Sequence, residues 1–222
     1  MSKVVHPYAH RLGILRDWRH RWFVEGPAYR ENLKADILLR EFLLKELRGM
    51  YVGGLEIERG KQMRVIIKTS RPGLIIGRSG EGSTKIRNSI VAFLQKRKLQ
   101  VPELKLDIEE IRSPESSAAI VAYMVAEGLE KRLPFRRVLK QTIEKVMANR
   151  DVKGVRIQIS GMLGAGSMSR VEGLKKGRIP LQTFRSDIDF ARERANLPLG
   201  VIGIKVWIYK GEVFAKNAKE NK

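Results

Sequence analysis

The stretch of this chain best suited to holding an anion is Gly77-Arg78-Ser79-Gly80, because an apolar turn, Leu74-Ile75-Ile76, runs straight into it and a second helical pattern follows. A G-x-x-G loop between two helices lets the backbone come within hydrogen-bonding reach of phosphates, since Gly77 and Gly80 carry no β-carbon to prevent it. The positive end of the following helix then faces the anion. A second group is Arg136, Arg137 and Lys140, which spacings of three and four residues bring to one side of a helix. Like charges so placed repel by a few tenths of a kcal/mol per pair, a penalty that a bound phosphate would remove.

Other pairings carry less chemistry. Gly77 and Gly82 stand four residues apart as in a nucleotide-binding loop, but Ser83 occupies the place of the required lysine and no parallel strand precedes the loop. No G-x-G-x-x-G occurs. Asp187 and Asp189 lie two apart without a third carboxylate or histidine, and are expected to pair with Arg185 and Arg192 instead of holding a metal for nuclease or lyase chemistry. His6 and His10 have the spacing of a metal pair, yet Pro7 argues against a helix there and no third ligand is at hand. No metal, cofactor, small-molecule substrate or catalytic group is expected.

The elements that must position the loop follow from periodicity. A helix precedes it, with Leu33, Ile37, Phe42, Leu44 and Leu47 as the expected apolar stripe. Leu55 to Arg59 and Arg64 to Lys68 predict two short strands joined by Gly60-Lys61-Gln62. Arg71-Pro72-Gly73 opens a short helix whose Leu74, Ile75 and Ile76 are expected to be buried. Beyond the loop, Ile86, Ile90, Phe93 and Leu94 recur at helical spacing, and Leu104, Leu106, Ile108 and Ile111 predict a third strand.

In the second half, Ser113-Pro114 breaks that strand and a helix rich in small residues runs from Ala118 to Leu129. Leu133-Pro134 ends it. Phe135 to Asn149 predicts another helix, buried along Phe135, Leu139, Ile143 and Val146. Val155, Ile157 and Ile159 alternate as a half-exposed strand, Gly161 to Gly166 reads as a turn, and Val201 to Tyr209 is the final strand. The fold class is therefore α+β, the second half being a two-layer sandwich of two helices on an antiparallel sheet.

Composition points the same way. Across 222 residues, 44 lysines and arginines oppose 24 acids, a formal net charge of +20 that calls for a polyanionic partner. Residues 131–185 alone hold 14 Lys and Arg against Glu144, Asp151 and Glu172. The chain has no cysteine, which excludes disulfides and thiolate zinc sites. No apolar run approaches the ~20 residues that span a bilayer, so a soluble protein with no membrane partner is expected. Near the N-terminus, Trp18, Trp22 and Phe23 stand among Arg16, Arg19 and Arg21, a mixture suited to stacking on bases or to anchoring on a neighbouring surface, of which anchoring is favoured.

Taken together, the loop in its helix-strand-strand order, Arg11-Leu12-Gly13-Ile14, Phe135-Arg136-Arg137, Gly177-Arg178-Ile179-Pro180-Leu181 and Gly200-Val201-Ile202-Gly203-Ile204-Lys205-Val206-Trp207-Ile208 resemble the bacterial-type ribosomal small-subunit protein S-three family, from about His6 to Glu212. The resemblance implies a non-catalytic constituent of the small-subunit head. It implies an N-terminal arm (1–28), a type II KH domain (29–112, core about 38–112), a C-terminal α+β domain (113–212) and a basic tail (213–222). It carries over a nucleic-acid loop at Gly77, Arg78, Ser79 and Gly80, and a helix lining the messenger RNA entry channel and assisting unwinding through Arg136, Arg137 and Lys140. Implied partners are small-subunit ribosomal RNA, messenger RNA and head proteins ten and fourteen, with the ribosome of the cytoplasm or of an organelle as the location. Arg11, Arg16, Arg19, Arg21, Arg170, Lys175, Lys176 and Arg178 are the expected ribosomal RNA contacts. The family's usual pattern is departed from at Ser2-Lys3-Val4, Met162 and Ser167. A free RNA-binding regulator using the same loop on single strands is the alternative reading.

Overall fold

Two separate hydrophobic cores organise the chain. The computed structural model describes residues 5–60, 62–97, 99, 103–164 and 168–214. One unit comprises residues 18–112, and the other joins residues 1–17 to 113–222. The expected arm of residues 1–28 is thus divided between the two. Lys61, Ser167 and the basic tail from Lys216 lie outside the described residues.

In the 18–112 unit, helix α1 (Pro27–Glu46) precedes strands β2 (Val52–Arg59) and β3 (Met63–Thr69), the short α2 (Pro72–Ile76), α3 (Glu81–Lys96) and β4 (Leu104–Glu110). A two-residue strand, β1 (His20–Arg21), adds to the edge, so that the sheet runs β1-β2-β3-β4. β2 and β3 are antiparallel, and β4 lies parallel to β3. Leu39, Leu43, Ile57, Val65, Ile67, Ile86, Ile90 and Leu94 form the core.

The stripe expected on α1 is buried only in part: Leu47 is in the core and Phe42 packs against it, but the rest is not. Ala35, Leu39, Leu43 and Leu47 face the core, while Leu33, Ile37 and Leu44 are 39, 51 and 51% exposed. Both rows recur near helical spacing, so periodicity alone could not choose between them. The choice is made by Asp36, which lies in the buried row and accepts hydrogen bonds from Arg59 Nε and Nη2 at 2.8 and 2.5 Å and from Trp22 Nε1 at 2.7 Å.

His20 stands beside this network with Nδ1 buried and without a partner among the described residues. Burial lowers its pKa, and Arg40 and Arg19 add to that against the attraction of Asp36 and Glu56. Because the folded group binds its proton less readily than the unfolded one, its contribution is complete above the unfolded value of ~6.5 and is lost as pH falls below it. Melting temperatures at about pH 7.5 and 5.5 should show wild type losing stability on acidification and His20→Gln losing less. Equal pH sensitivity in both would refute this.

In the other unit, α4 (Ala118–Glu130) and α5 (Phe135–Ala148) cover one face of an antiparallel sheet. Its strands are β5 (Gly154–Met162), β6 (Ser169–Gly177), β7 (Ser186–Leu197) and β8 (Gly200–Glu212), in the order β6-β5-β8-β7. Ala118, Ala122 and Ala126 let α4 lie close to the sheet, and a β-carbon at Gly128 would sit 3.1 Å from Val138 of α5. Asp189 does not pair with Arg192. Its carboxylate accepts the Ala118 N–H at 2.8 Å, and so caps α4. Asp187 holds Arg16 at 2.6 Å, while Arg185 pairs with Glu212 at 2.6 Å.

The first segment is stitched to this unit by Arg11. Its side chain is fully buried. Nε donates to Ser186 O at 2.6 Å, Nη1 to Pro7 O at 3.0 Å, and Nη2 to Leu181 O and Thr183 O at 3.0 and 2.9 Å. His6 meets the Phe190 ring edge-on at 4.7 Å, and His10 lies over Phe184 at 4.3 Å. Among the described residues no group of three His, Cys, Asp or Glu is placed to hold a metal, and no helix is long and apolar enough to cross a membrane.

Candidate nucleic-acid interface

The G-x-x-G loop is built by three left-handed residues in a row of four. Gly77 has φ +70°, Ser79 φ +53° and Gly80 φ +81°, and only Ser79 carries a side chain in that region. The two glycines therefore serve backbone geometry as well as access. Gly82, which follows the loop, matters equally. A side chain there would overlap the carbonyl oxygens of Ile75 and Ile76, so its absence lets α2 and α3 meet at the loop. Ser83 Oγ and Thr84 Oγ1 donate to Gly80 O at 2.8 and 3.2 Å and hold the turn.

Arg78 and Ser79 are exposed at the start of α3. Glu81 occupies the helix's first turn, where a carboxylate is favoured by the dipole but opposes a phosphate. Of the three apolar residues expected to be buried before the loop, only Ile75 is. Leu74 and Ile76 are 54 and 39% exposed, because a five-residue helix turns one side inward.

The second basic element lies on α5. Val138, Leu139, Thr142, Ile143 and Val146 are buried, and Arg136, Arg137 and Lys140 are all exposed on the opposite side. The first turn of this helix has no acid, so Arg136 and Arg137 face the positive end of its dipole. A misplaced charge of this kind costs about 0.3–1 kcal/mol, which a bound anion returns. The fold adds what spacing could not show: Glu172 of β6 lies 3.8 Å from Arg136 and 3.2 Å from Arg170, joining cations 34 positions apart on one surface. Both guanidinium groups also lie over the Phe135 ring, at 5.5 and 5.6 Å.

The remaining expected contacts separate. Arg11 is removed from the set, because its guanidinium is buried and spent on carbonyls. Arg16 is drawn onto Asp187 with 26% of its side chain exposed. Arg19 is half-buried, and Arg21 is exposed with Glu58 at 3.4 Å. Arg178 is exposed beyond the end of β6. Lys175 and Lys176 are neighbours in β6 and point to opposite faces, so they cannot serve one site; Lys176 pairs in register with core-facing Val155, and Lys175 with Arg156.

Comparison with known proteins agrees with this geometry. Residues 38–116 match the family model described as KH domain, and residues 125–208 match that described as Ribosomal protein S3, C-terminal domain. The chain is 40% identical over 223 residues to the small ribosomal subunit protein uS3 of Pseudomonas fluorescens (strain Pf0-1), covering 100% of this chain and 95% of the relative. It is 43% identical over 223 residues to the uS3 of Endomicrobium trichonymphae, covering 99% and 92%. A KH domain followed by an S3-type α+β domain, with identity at this level over the full length, places the chain in the bacterial-type ribosomal protein S3 family, non-enzymatic RNA-binding constituents of the small ribosomal subunit.

Proposed function

We propose that, within the small subunit, Arg136, Arg137 and Lys140 line the path by which messenger RNA enters and hold phosphates of strands as they are separated. The observation that carries this reading is the placement of cations at the positive end of α5 with no acid in its first turn. Such an arrangement, offset among the described residues only by Glu172 at 3.8 Å from Arg136, costs the free protein stability that an anion returns. A fixed cationic helix can retain separated strands while translocation supplies the work. Arg16, Arg19, Arg21, Arg170, Lys176 and Arg178 are assigned to ribosomal RNA as part of the same charge distribution.

The exposed row Leu33, Ile37 and Leu44 of α1, with Trp18, Trp22 and Tyr29, lines a groove of about 880 Å³. We assign this apolar face to the protein neighbours, head proteins ten and fourteen, in the cytoplasmic ribosome. Large exposed apolar patches of this kind mark protein contacts.

Arg136→Ala with Arg137→Ala and Lys140→Ala tests the channel reading. Ribosomes carrying this variant should cross a stable messenger hairpin about three- to tenfold more slowly, a loss of roughly 1 kcal/mol of strand-holding free energy, while subunit assembly is unchanged. The free variant should melt slightly higher than wild type, by about 2–4 °C for each kcal/mol of relieved repulsion. Equal rates on structured and unstructured messages would remove the proposal.

A second reading, action as a free RNA-binding regulator, has one observation in its favour. Leu74 and Ile76 are exposed beside the G-x-x-G loop, where unstacked bases could rest. Salt-resistant binding of a short single-stranded RNA by the free protein would support it.

A further inference from the structure

The face of the C-terminal sheet that turns away from α4 and α5 is rich in cations. The helices cover the side bearing Val155, Ile157, Ile159, Ile204 and Val206, so alternation puts the intervening residues on the other side. Strand register aligns Lys175, Arg156, Trp207 and Phe190 in one row across the four strands. The next row is Gly173, Gln158, Lys205 and Arg192, and Arg194 lies in the row after that, opposite Gly203. No Asp or Glu stands in these three rows.

Arg156, Lys175, Arg192 and Lys205 are exposed. None has an acidic partner among the described residues. Two like-charged pairs, Arg156 with Lys175 and Lys205 with Arg192, face each other directly across strands, an arrangement that destabilises a sheet. The two arginines are also held in place: Arg156 lies 5.1 Å over the Trp207 ring and Arg192 5.4 Å over Phe190. Their guanidinium groups are therefore pre-ordered, which lowers the entropy lost on gripping a phosphate.

We propose that the exposed cations of this sheet face, Arg156, Lys175, Arg192 and Lys205, grip the phosphate backbone of a double-helical RNA segment. A polyanion complements the charge, and four strands spaced by ~4.8 Å spread the cations across roughly 15 Å. The form of the RNA follows from the rings. Trp207 and Phe190 are only 6 and 5% exposed, covered by the arginines and packed in a cluster with Ile179 and Leu181, with His6 against Phe190, so this face offers no aromatic platform on which unpaired bases could stack. The inference rests on RNA binding by the family and not on the messenger reading of α5, which lies across the sheet from these rows.

The test uses the full chain, a ~20-base-pair RNA duplex and an unstructured single strand of the same length, titrated between about 100 and 300 mM salt. The variant combines Arg156→Gln, Lys175→Gln, Arg192→Gln and Lys205→Gln. A control, Arg30→Gln with Lys34→Gln and Lys45→Gln on α1 and Arg48→Gln just beyond it, removes the same charge elsewhere. The sheet variant should bind the duplex at least about tenfold more weakly than the control, with the slope of log affinity against log salt reduced by roughly 3–4. The single strand should distinguish the two variants far less. Equal duplex losses in both variants overturn the site, and equal losses of duplex and single strand overturn the choice of duplex. Should the fourfold variant not fold, Lys175→Gln with Lys205→Gln, side chains that touch no ring, decides the matter by a slope change of about two.

Discussion

Arg11→Met should lower the melting temperature by roughly 6–12 °C. The guanidinium is fully buried and satisfies the carbonyls of Pro7, Leu181, Thr183 and Ser186 at 2.6–3.0 Å. Methionine fills a similar volume but donates nothing; Thr183 O keeps the Ser186 N–H at 3.2 Å, and each of the other three carbonyls left without a partner costs about 1 kcal/mol, which sums to about 3 kcal/mol. Lysine should rescue little, because one ammonium cannot reproduce a planar fork aimed at carbonyls on several sides. Thermal unfolding followed by circular dichroism checks this, with exposed Arg178→Met as the comparison, expected to remain within about 0.5 kcal/mol of wild type. A shift below about 3 °C for Arg11→Met would show that water replaces the guanidinium at little cost. The same residue explains why residues 5–17 belong with the C-terminal sheet: a buried charge with three chain-distant acceptors, Leu181, Thr183 and Ser186, fixes the segment to the turn before β7.

Asp36→Ala should cost about 3–5 kcal/mol, because it strands the guanidinium of Arg59 without its counter-charge. Arg59 is 12% exposed and Asp36 4% exposed at the side chain, so water does little to replace the partner. The change also leaves Trp22 Nε1 without its acceptor and loosens the attachment of the β1 segment to α1. A double variant separates the causes. Asp36→Ala with Arg59→Met should recover much of the loss, since replacing both members of a buried ion pair by apolar groups is often close to neutral. If the double variant is as unstable as the sum of the singles, the pair is not the source of the effect.

Arg11 corrects a reading of charge as surface, and Asp36 is a buried charge that spacing did not mark. From the sequence, Arg11 sat in a basic arm beside Arg16, Arg19 and Arg21, with nothing local to separate it from them. Its acceptors lie 170 to 175 positions away, apart from Pro7, and only the folded chain brings them together. Asp36 was not singled out by the sequence at all, and its role depends on Arg59 reaching it from β2. Leu74 and Ile76 erred the other way: three apolar residues in succession were expected to be buried, but a single turn of helix can bury only the middle one.

The order of helices and strands around Gly77-Arg78-Ser79-Gly80, the antiparallel C-terminal sheet and the exposed trio Arg136, Arg137 and Lys140 were legible in the sequence. Each depends on local rules: glycine's freedom at positive φ, and the periods of 3.6 and 2 by which side chains find one face. Strands β6 and β7 were not legible as strands. β6 is an edge strand exposed along almost its whole length, and β7 has polar residues on both faces, so neither shows a clean apolar alternation. What tertiary structure alone decided is which charges are spent inside the protein and which remain for RNA. Arg11 and Asp36 are enclosed by partners distant in sequence, Arg170 joins Arg136 through Glu172, and strand register gathers Arg156, Lys175, Arg192 and Lys205 on one face. A charge's role depends on its burial and on its neighbours in space, and those are set by long-range packing that sequence spacing does not record.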